Sequence, residues 1–247
     1  MSDDAIPAAT LIVWRDSKAG SEILVVERSA RMAFAAGAIV FPGGRVDKAD
    51  RLLSEALGCP EDAAKVTAIR ETIEETGVMP GLRGAYDSTL GLSLQAALHE
   101  GGDFAELLDS HELTLDLNAL TPFARWMPAF KQPRKFDTLF FLVPAPVGDW
   151  PPNPQQGECA AAEWADPAGL LMRIRRGESN AIFPTKRNLE RLAKHQTIGE
   201  ALADAHAHSL DTIIPWIEEI GGEPHVRIPE GRGYPIISEP LVTAFRA

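Results

Sequence analysis

The run Arg70-Glu71-Thr72-Ile73-Glu74-Glu75-Thr76-Gly77-Val78 admits few structures. Placed on a helix at about 100° per residue, Glu71, Glu74 and Glu75 fall within an arc of roughly 100°. Val66, Ile69 and Ile73 project the other way, so one helix carries a core face and a carboxylate face. Like charges three and four residues apart repel by about 0.2–0.5 kcal/mol on an exposed helix, and by more where water is scarce. A hard divalent cation, Mg²⁺ or Mn²⁺, answers that crowding, because such ions prefer carboxylate and carbonyl oxygens. Pro60, Glu61 and Asp62 at one end and Gly77 at the other punctuate a helix over residues 60–77.

Upstream, residues 10–14 and 22–27 read as a β-hairpin about the polar turn 15–21. Residues 38–41 form a third expected strand, stopped by Pro42-Gly43-Gly44, where consecutive glycines let the backbone approach a ligand. An acidic loop with Asp47 and Asp50 follows, then a short helix at 51–57. Downstream, the pattern predicts helices at 92–99 and 104–110, and strands at 120–127 and 136–143 about the basic turn 131–135. A proline-rich loop, 144–154, leads through Glu158 and Glu163 to Trp164. Asp166 caps a helix begun by Pro167, further helices run over 183–194 and 197–208, and short strands follow at 212–217 and 225–228. Interleaved strands and helices predict an α/β (α+β) fold, a mixed central sheet covered by helices.

The chain carries 24 Lys and Arg against 35 Asp and Glu, a formal charge of −11, which argues against a nucleic-acid partner. It does not argue against a nucleotide reached through a metal ion. Cys59 and Cys159 have no metal-ligand spacing, so a reducing compartment is expected. No apolar run reaches the length of a membrane span, the start is acidic, unlike a signal peptide, and Phe245-Arg246-Ala247 is no peroxisomal tripeptide. The expected location is cytoplasmic, with no membrane partner.

Gly44, Asp50 and Arg70-Glu71-x-Ile73-Glu74-Glu75-x-Gly77-Val78 together resemble the Nudix box, G-x5-E-x7-R-E-U-x-E-E-x-G-U, where U is bulky and apolar. Three departures stand out. Asp50 replaces a glutamate, Thr72 sits at an aliphatic position, and 19 residues separate Asp50 from Arg70 instead of seven. The box thus holds an insertion of 12 residues, placed at about 51–62. The segment Arg28-Ser29-x7-Gly37-x3-Phe41-Pro42-Gly43-Gly44 is similar to the signature upstream of the box in coenzyme A diphosphatases, with Ala33 where an arginine is usual and Arg31 nearby. Arg134-Lys135-Phe136-Asp137-Thr138 and Phe183-Pro184-Thr185-x-Arg187-Asn188-Leu189 extend that similarity to the coenzyme A diphosphatase-like branch.

The resemblance implies a Nudix-type α/β/α sandwich, a single domain over 8–247 with a helical C-terminal extension at about 183–247. It implies hydrolysis of a nucleoside diphosphate linked to another moiety, coenzyme A or acyl-CoA first, with ADP-ribose, NADH or a dinucleoside polyphosphate as alternatives. A non-catalytic nucleotide-sensing domain is the reading from a different class. The implied metal ligands are Glu71, Glu74, Glu75 and the Gly44 carbonyl, holding Mg²⁺ or Mn²⁺. Glu71 is the first choice of general base, with Glu163 or Glu158 as alternatives, and Arg70 orients the acids, paired with Asp50. Arg28, Arg31, Arg134 and Gly43 are the candidate substrate contacts, since guanidinium forks suit phosphate oxygens. The family also makes a homodimer an expectation. His206 and His208 beside Asp204, and the cations Lys186, Arg187, Arg191 and Lys194, read as solvated surface; Trp126, Trp150, Trp164 and Trp216 read as packing.

Overall fold

The strand over Ala5–Ser17 (β1) is apolar on both sides, as only a central strand can be. Ala9, Leu11 and Val13 point to one face and Ile12 and Trp14 to the other, all buried. The computed structural model describes residues 5–17, 20–31, 35–128 and 135–244. Within them β1 pairs antiparallel with β2 (Gly20–Arg28) and parallel with β8 (Lys135–Pro144), so the sheet is mixed.

Chain order continues with β3 (Ala38–Val40), β4 (Gly43–Arg45), α1 (Lys48–Ala56), a 3₁₀ turn at Pro60–Asp62 and α2 (Ala63–Thr76). Next come β5 (Leu82–Arg83), α3 (Ser88–His99), α4 (Phe104–Ser110), β6 (Thr114–Leu115) and β7 (Thr121–Trp126), before β8. After β8 follow β9 (Cys159–Ala165), α5 (Pro167–Arg175), β10 (Asn180–Ala181), α6 (Phe183–Leu192) and α7 (Ile198–Ala207). The described chain closes with β11 (Trp216–Ile220), β12 (Glu223–Arg227), β13 (Ser238–Pro240) and α8 (Leu241–Ala244). The main sheet runs β10-β3-β2-β1-β8-β7, with β4 also on β1 and β9 also on β2.

Helices cover both faces. On one, Leu11, Val13, Leu24 and Phe141 pack against Val66, Ile69 and Ile73 of α2 and against α3 and α4. On the other, Ile12, Trp14, Ile23 and Val25 pack against Leu170 of α5, Leu189 of α6 and Ala201 of α7. This is the α/β/α sandwich expected from the sequence. No helix among the described residues is long and apolar enough to cross a membrane.

Three expectations need correction. The C-terminal extension is not all helical, because 216–240 contains the antiparallel sheet β11-β12-β13, whose Val226 and the following Ile228 are buried in the second core. The insertion in the box forms a helix that starts at Lys48 rather than 51. Its start is set by a capping box, in which the Asp47 N–H donates to the Asp50 carboxylate. The cations of α6 are not a solvated face: Arg187 is 1% and Arg191 2% exposed. Carboxylates meet them there. Arg187 donates to Glu190 and Glu239, and Arg191 to Asp204 and to the Phe123 carbonyl. The Asp204 side chain, 8% exposed, also lies 3.7 Å from the His208 ring, so those two belong to an ion-pair network, while His206 is exposed as expected.

Candidate active site

The acids Glu71, Glu74 and Glu75 sit where α2 crosses the end of β4. Gly77, at φ 70°, ends α2 in the left-handed conformation that glycine adopts without strain. The register sets Ala9 opposite Gly44 and Thr10 opposite Gly43, and the Pro42 carbonyl accepts from the Leu11 N–H at 2.9 Å. This brings β4 under the carboxylates. A Cβ on Gly43 would collide with the Ala9 carbonyl and the Thr10 backbone, so that glycine is required by close approach, while one on Gly44 would press on the Glu71 carboxylate and displace it.

Arg70 organises the acids. Its Nε and Nη2 donate to the two Asp50 oxygens at 2.8 and 3.0 Å, Nη2 also to Glu71 Oε1 at 2.9 Å, and Nη1 to Glu74 Oε2 at 3.1 Å. Asp50, despite being one methylene short of the usual glutamate, still takes both arms of the fork. Thr67 Oγ1 donates to Asp50 as well, at 2.8 Å. Glu75 accepts from the Gly43 N–H at 3.0 Å.

Burial pushes the Glu71 carboxyl up to about 7; Arg70 pulls it down, and the charge on Glu74 pushes it up again. Burial, then the charge on Glu71, drives Glu75 well above the usual carboxylate range, against the opposing Gly43 N–H and Arg28. Crowded, desolvated carboxylates with a bare glycine backbone beside them form a hard-oxygen donor set suited to Mg²⁺ or Mn²⁺. Among the described residues no group of three or more His, Cys, Asp or Glu side chains is already placed to hold a metal ion. Arg70 and Gly43 each hold part of the set in place.

The sign of the resulting pH dependence is fixed. A carboxyl raised from an ordinary value of 4.5 to about 7 holds a proton in the folded chain that the unfolded chain has released. Its stabilising contribution is complete below about 4.5 and is lost as pH rises through about 7. Glu75 and the buried Glu190 act in the same direction. Thermal melts in a chelator are therefore expected to fall across that window, by about 2–4 °C per kcal/mol lost in a chain of this size. Mg²⁺ or Mn²⁺, binding the deprotonated acids, is expected to restore the melting temperature above pH 7. A metal-free profile that is flat, with no metal-induced rise, would contradict this.

The other candidates divide. Arg28, at the end of β2, lies close enough to Glu75 to lower its pKa, and Glu158 close enough to raise it. Glu163 is a correction. It pairs with Val25 across β2 and β9, so alternation puts it on the α5 face, away from α2, where Arg173 holds it at 2.6 Å. Glu158 is the acid of that segment on the side of Glu75. Gly43, expected at substrate, instead commits its N–H to Glu75. Arg31 is exposed in a turn, and Arg134 lies outside the described residues.

Sequence reasoning missed the latch behind the helix. Gln95 Nε2 donates to the backbone carbonyl of Asn153 at 2.8 Å and to that of Glu74 at 3.2 Å, and its Oε1 accepts from Asn153 Nδ2 at 2.7 Å. The N–H groups of Asn153 and Gln155 donate to the carbonyls of Thr76 and Glu75. These bonds tie the proline-rich loop to the last turn of α2. No spacing rule reveals partners so far apart in sequence.

No family model matches the chain. The crystal structure of a NUDIX hydrolase from Alicyclobacillus acidocaldarius is similar, at 32% identity and TM-score 0.69, over 82% of this chain and 97% of that one. Acyl-coenzyme A diphosphatase NUDT19 of Gallus gallus is 27% identical over 257 residues, which is 80% of this chain and 66% of that protein. The Homo sapiens protein of the same name is 24% identical over 258 residues, 80% of this chain and 67% of that protein. The chain spans about two thirds of the length of these curated relatives.

Proposed function

Because the chain belongs to the Nudix hydrolase family, as a pyrophosphohydrolase, we propose that its substrate is coenzyme A or an acyl-CoA, cleaved at the diphosphate. The observation that carries this choice is the similarity to acyl-coenzyme A diphosphatases over four fifths of the chain.

Glu71, Glu74, Glu75 and the Gly44 carbonyl would hold the divalent ion, whose charge offsets the diphosphate's and makes water more acidic. The protein's own groups do the rest. Arg70 fixes the rotamers of Glu71 and Glu74, and the Gly43 N–H fixes Glu75, so the acids need little reorganisation when substrate arrives. Glu71, held by Arg70 against the Gly44 backbone, takes the proton of the attacking water. Glu158, on the loop tied to α2, is the second acid at this edge, and Arg28 faces the same charges. Arg28 contributes a positive charge where phosphate oxygens gather.

A panel of coenzyme A, acetyl-CoA, ADP-ribose, NADH and a dinucleoside polyphosphate, assayed with Mg²⁺ and with Mn²⁺, tests the choice. The expected result is the highest kcat/KM for a coenzyme A species. Faster cleavage of ADP-ribose would overturn the substrate reading.

A further inference from the structure

Beside the carboxylate site, on the other side of β4, the start of β1 and the start of α1 enclose an open groove of 810 Å³. Val46 and Ala49 contribute to its floor, and its rim carries Arg45, Lys48 and Arg51 with a single lining carboxylate, Asp47. All three cations are exposed. Arg45 pairs with Asp47 at 2.9 Å; among the described residues Lys48 and Arg51 have no ion pair. Three positive charges against one negative reverse the sign of a chain whose formal charge is −11, so this is a place where a polyanion is attracted.

The groove is coupled to the catalytic edge by covalent structure. Successive residues of a strand face opposite ways, so Gly44 meets Glu71 while Arg45 turns into the groove. In α1, Asp50 turns inward to Arg70 and its neighbour Arg51 turns out to the rim. An anion in the groove would therefore lie apart from the acids that meet Gly44 and Arg70.

We propose that this groove, one side of it built by the start of α1, binds a phosphate monoester of the substrate and so selects nucleotides that carry a ribose phosphate besides the diphosphate. Lys48 and Arg51 are the specificity-determining residues. The proposal rests on the reading of the chain as a hydrolase of a coenzyme A species, whose ribose bears such a phosphate, and its test separates the two.

Calorimetry on the full chain without divalent metal reads binding apart from turnover. Adenosine 3′,5′-bisphosphate is expected to bind about tenfold more tightly than adenosine 5′-monophosphate, the scale of one charge-assisted contact. The double variant Lys48→Ala/Arg51→Ala is expected to erase that difference and leave the monophosphate unchanged, with an unaltered melting temperature; Arg176→Ala serves as the exposed control. In turnover the wild type is expected to favour coenzyme A over its dephospho form by a similar factor, and the double variant to lose the preference. Equal binding of both nucleotides by the wild type would overturn the proposal, as would a preference that survives the double variant. Inorganic phosphate binding as tightly as the bisphosphate, an adventitious ion only, would overturn it too. If neither coenzyme A form is cleaved while the calorimetric preference and its loss are seen, the groove stands and the substrate reading falls.

Discussion

Replacing Glu71 by Gln is expected to lower kcat by about 10²–10⁴-fold, the usual effect of losing a general base. The same change should leave the metal-free protein as stable as the wild type or more so. Glutamine keeps the shape and can still accept from Arg70 Nη2, but it removes a charge that burial and the neighbouring Glu74 both disfavour. A stability gain paired with an activity loss distinguishes a functional acid from a structural one, which would lose both together. The pair of measurements is kcat with saturating Mg²⁺ and the melting temperature in a chelator. Near-wild-type kcat would remove Glu71 from the mechanism.

Replacing Arg70 by Met acts in the opposite sense on stability. Asp50 is 1% exposed, and its two oxygens both rest on the Arg70 fork. Without the guanidinium a buried carboxylate keeps only the Thr67 hydroxyl and the Asp47 N–H. Breaking a buried pair from one side destabilises by about 3–5 kcal/mol. At about 2–4 °C per kcal/mol the melting temperature should fall by roughly 6–20 °C. Activity should drop as well, since Glu71 and Glu74 lose their common anchor. Arg70→Lys is expected to recover little of either, because a point charge on a flexible stem cannot reproduce the two-pronged bond to Asp50. Urea unfolding that places Arg70→Met within about 1 kcal/mol of the wild type would contradict the role given to this residue.

Much of this arrangement was legible because local chemistry demanded it. The acids of α2 share a face by helical period alone, and Gly77 ends the helix for a backbone reason any sequence reader can state. The apolar run at 11–14 likewise reads as a strand, though its central place in the sheet came only with its partners. What stayed hidden depended on tertiary partners. The charges of Arg187 and Arg191 look solvated until Glu239 and Asp204 are brought to them from distant segments. Glu163 and Glu158 are equivalent on paper, and only the register of β9 on β2 decides which faces the α2 side of the sheet. Gly43 reads as a loop glycine near substrate, yet its N–H belongs to Glu75, because β4 is pinned to β1 in one register. The C-terminal sheet was legible only as two short strands, at 212–217 and 225–228; its third strand, Ser238–Pro240, stayed hidden, since this segment finds its apolar contacts only in the second core.

The central claim is that this box cleaves the diphosphate of a coenzyme A species. Phosphorus NMR of coenzyme A incubated with the protein and Mg²⁺ tests it most directly, with Glu74→Gln run alongside. The account predicts that the diphosphate resonances give way to phosphate monoesters, only when the metal is present, and that the variant leaves them intact. Unchanged diphosphate resonances with the wild-type protein, or equal conversion by Glu74→Gln, would contradict it.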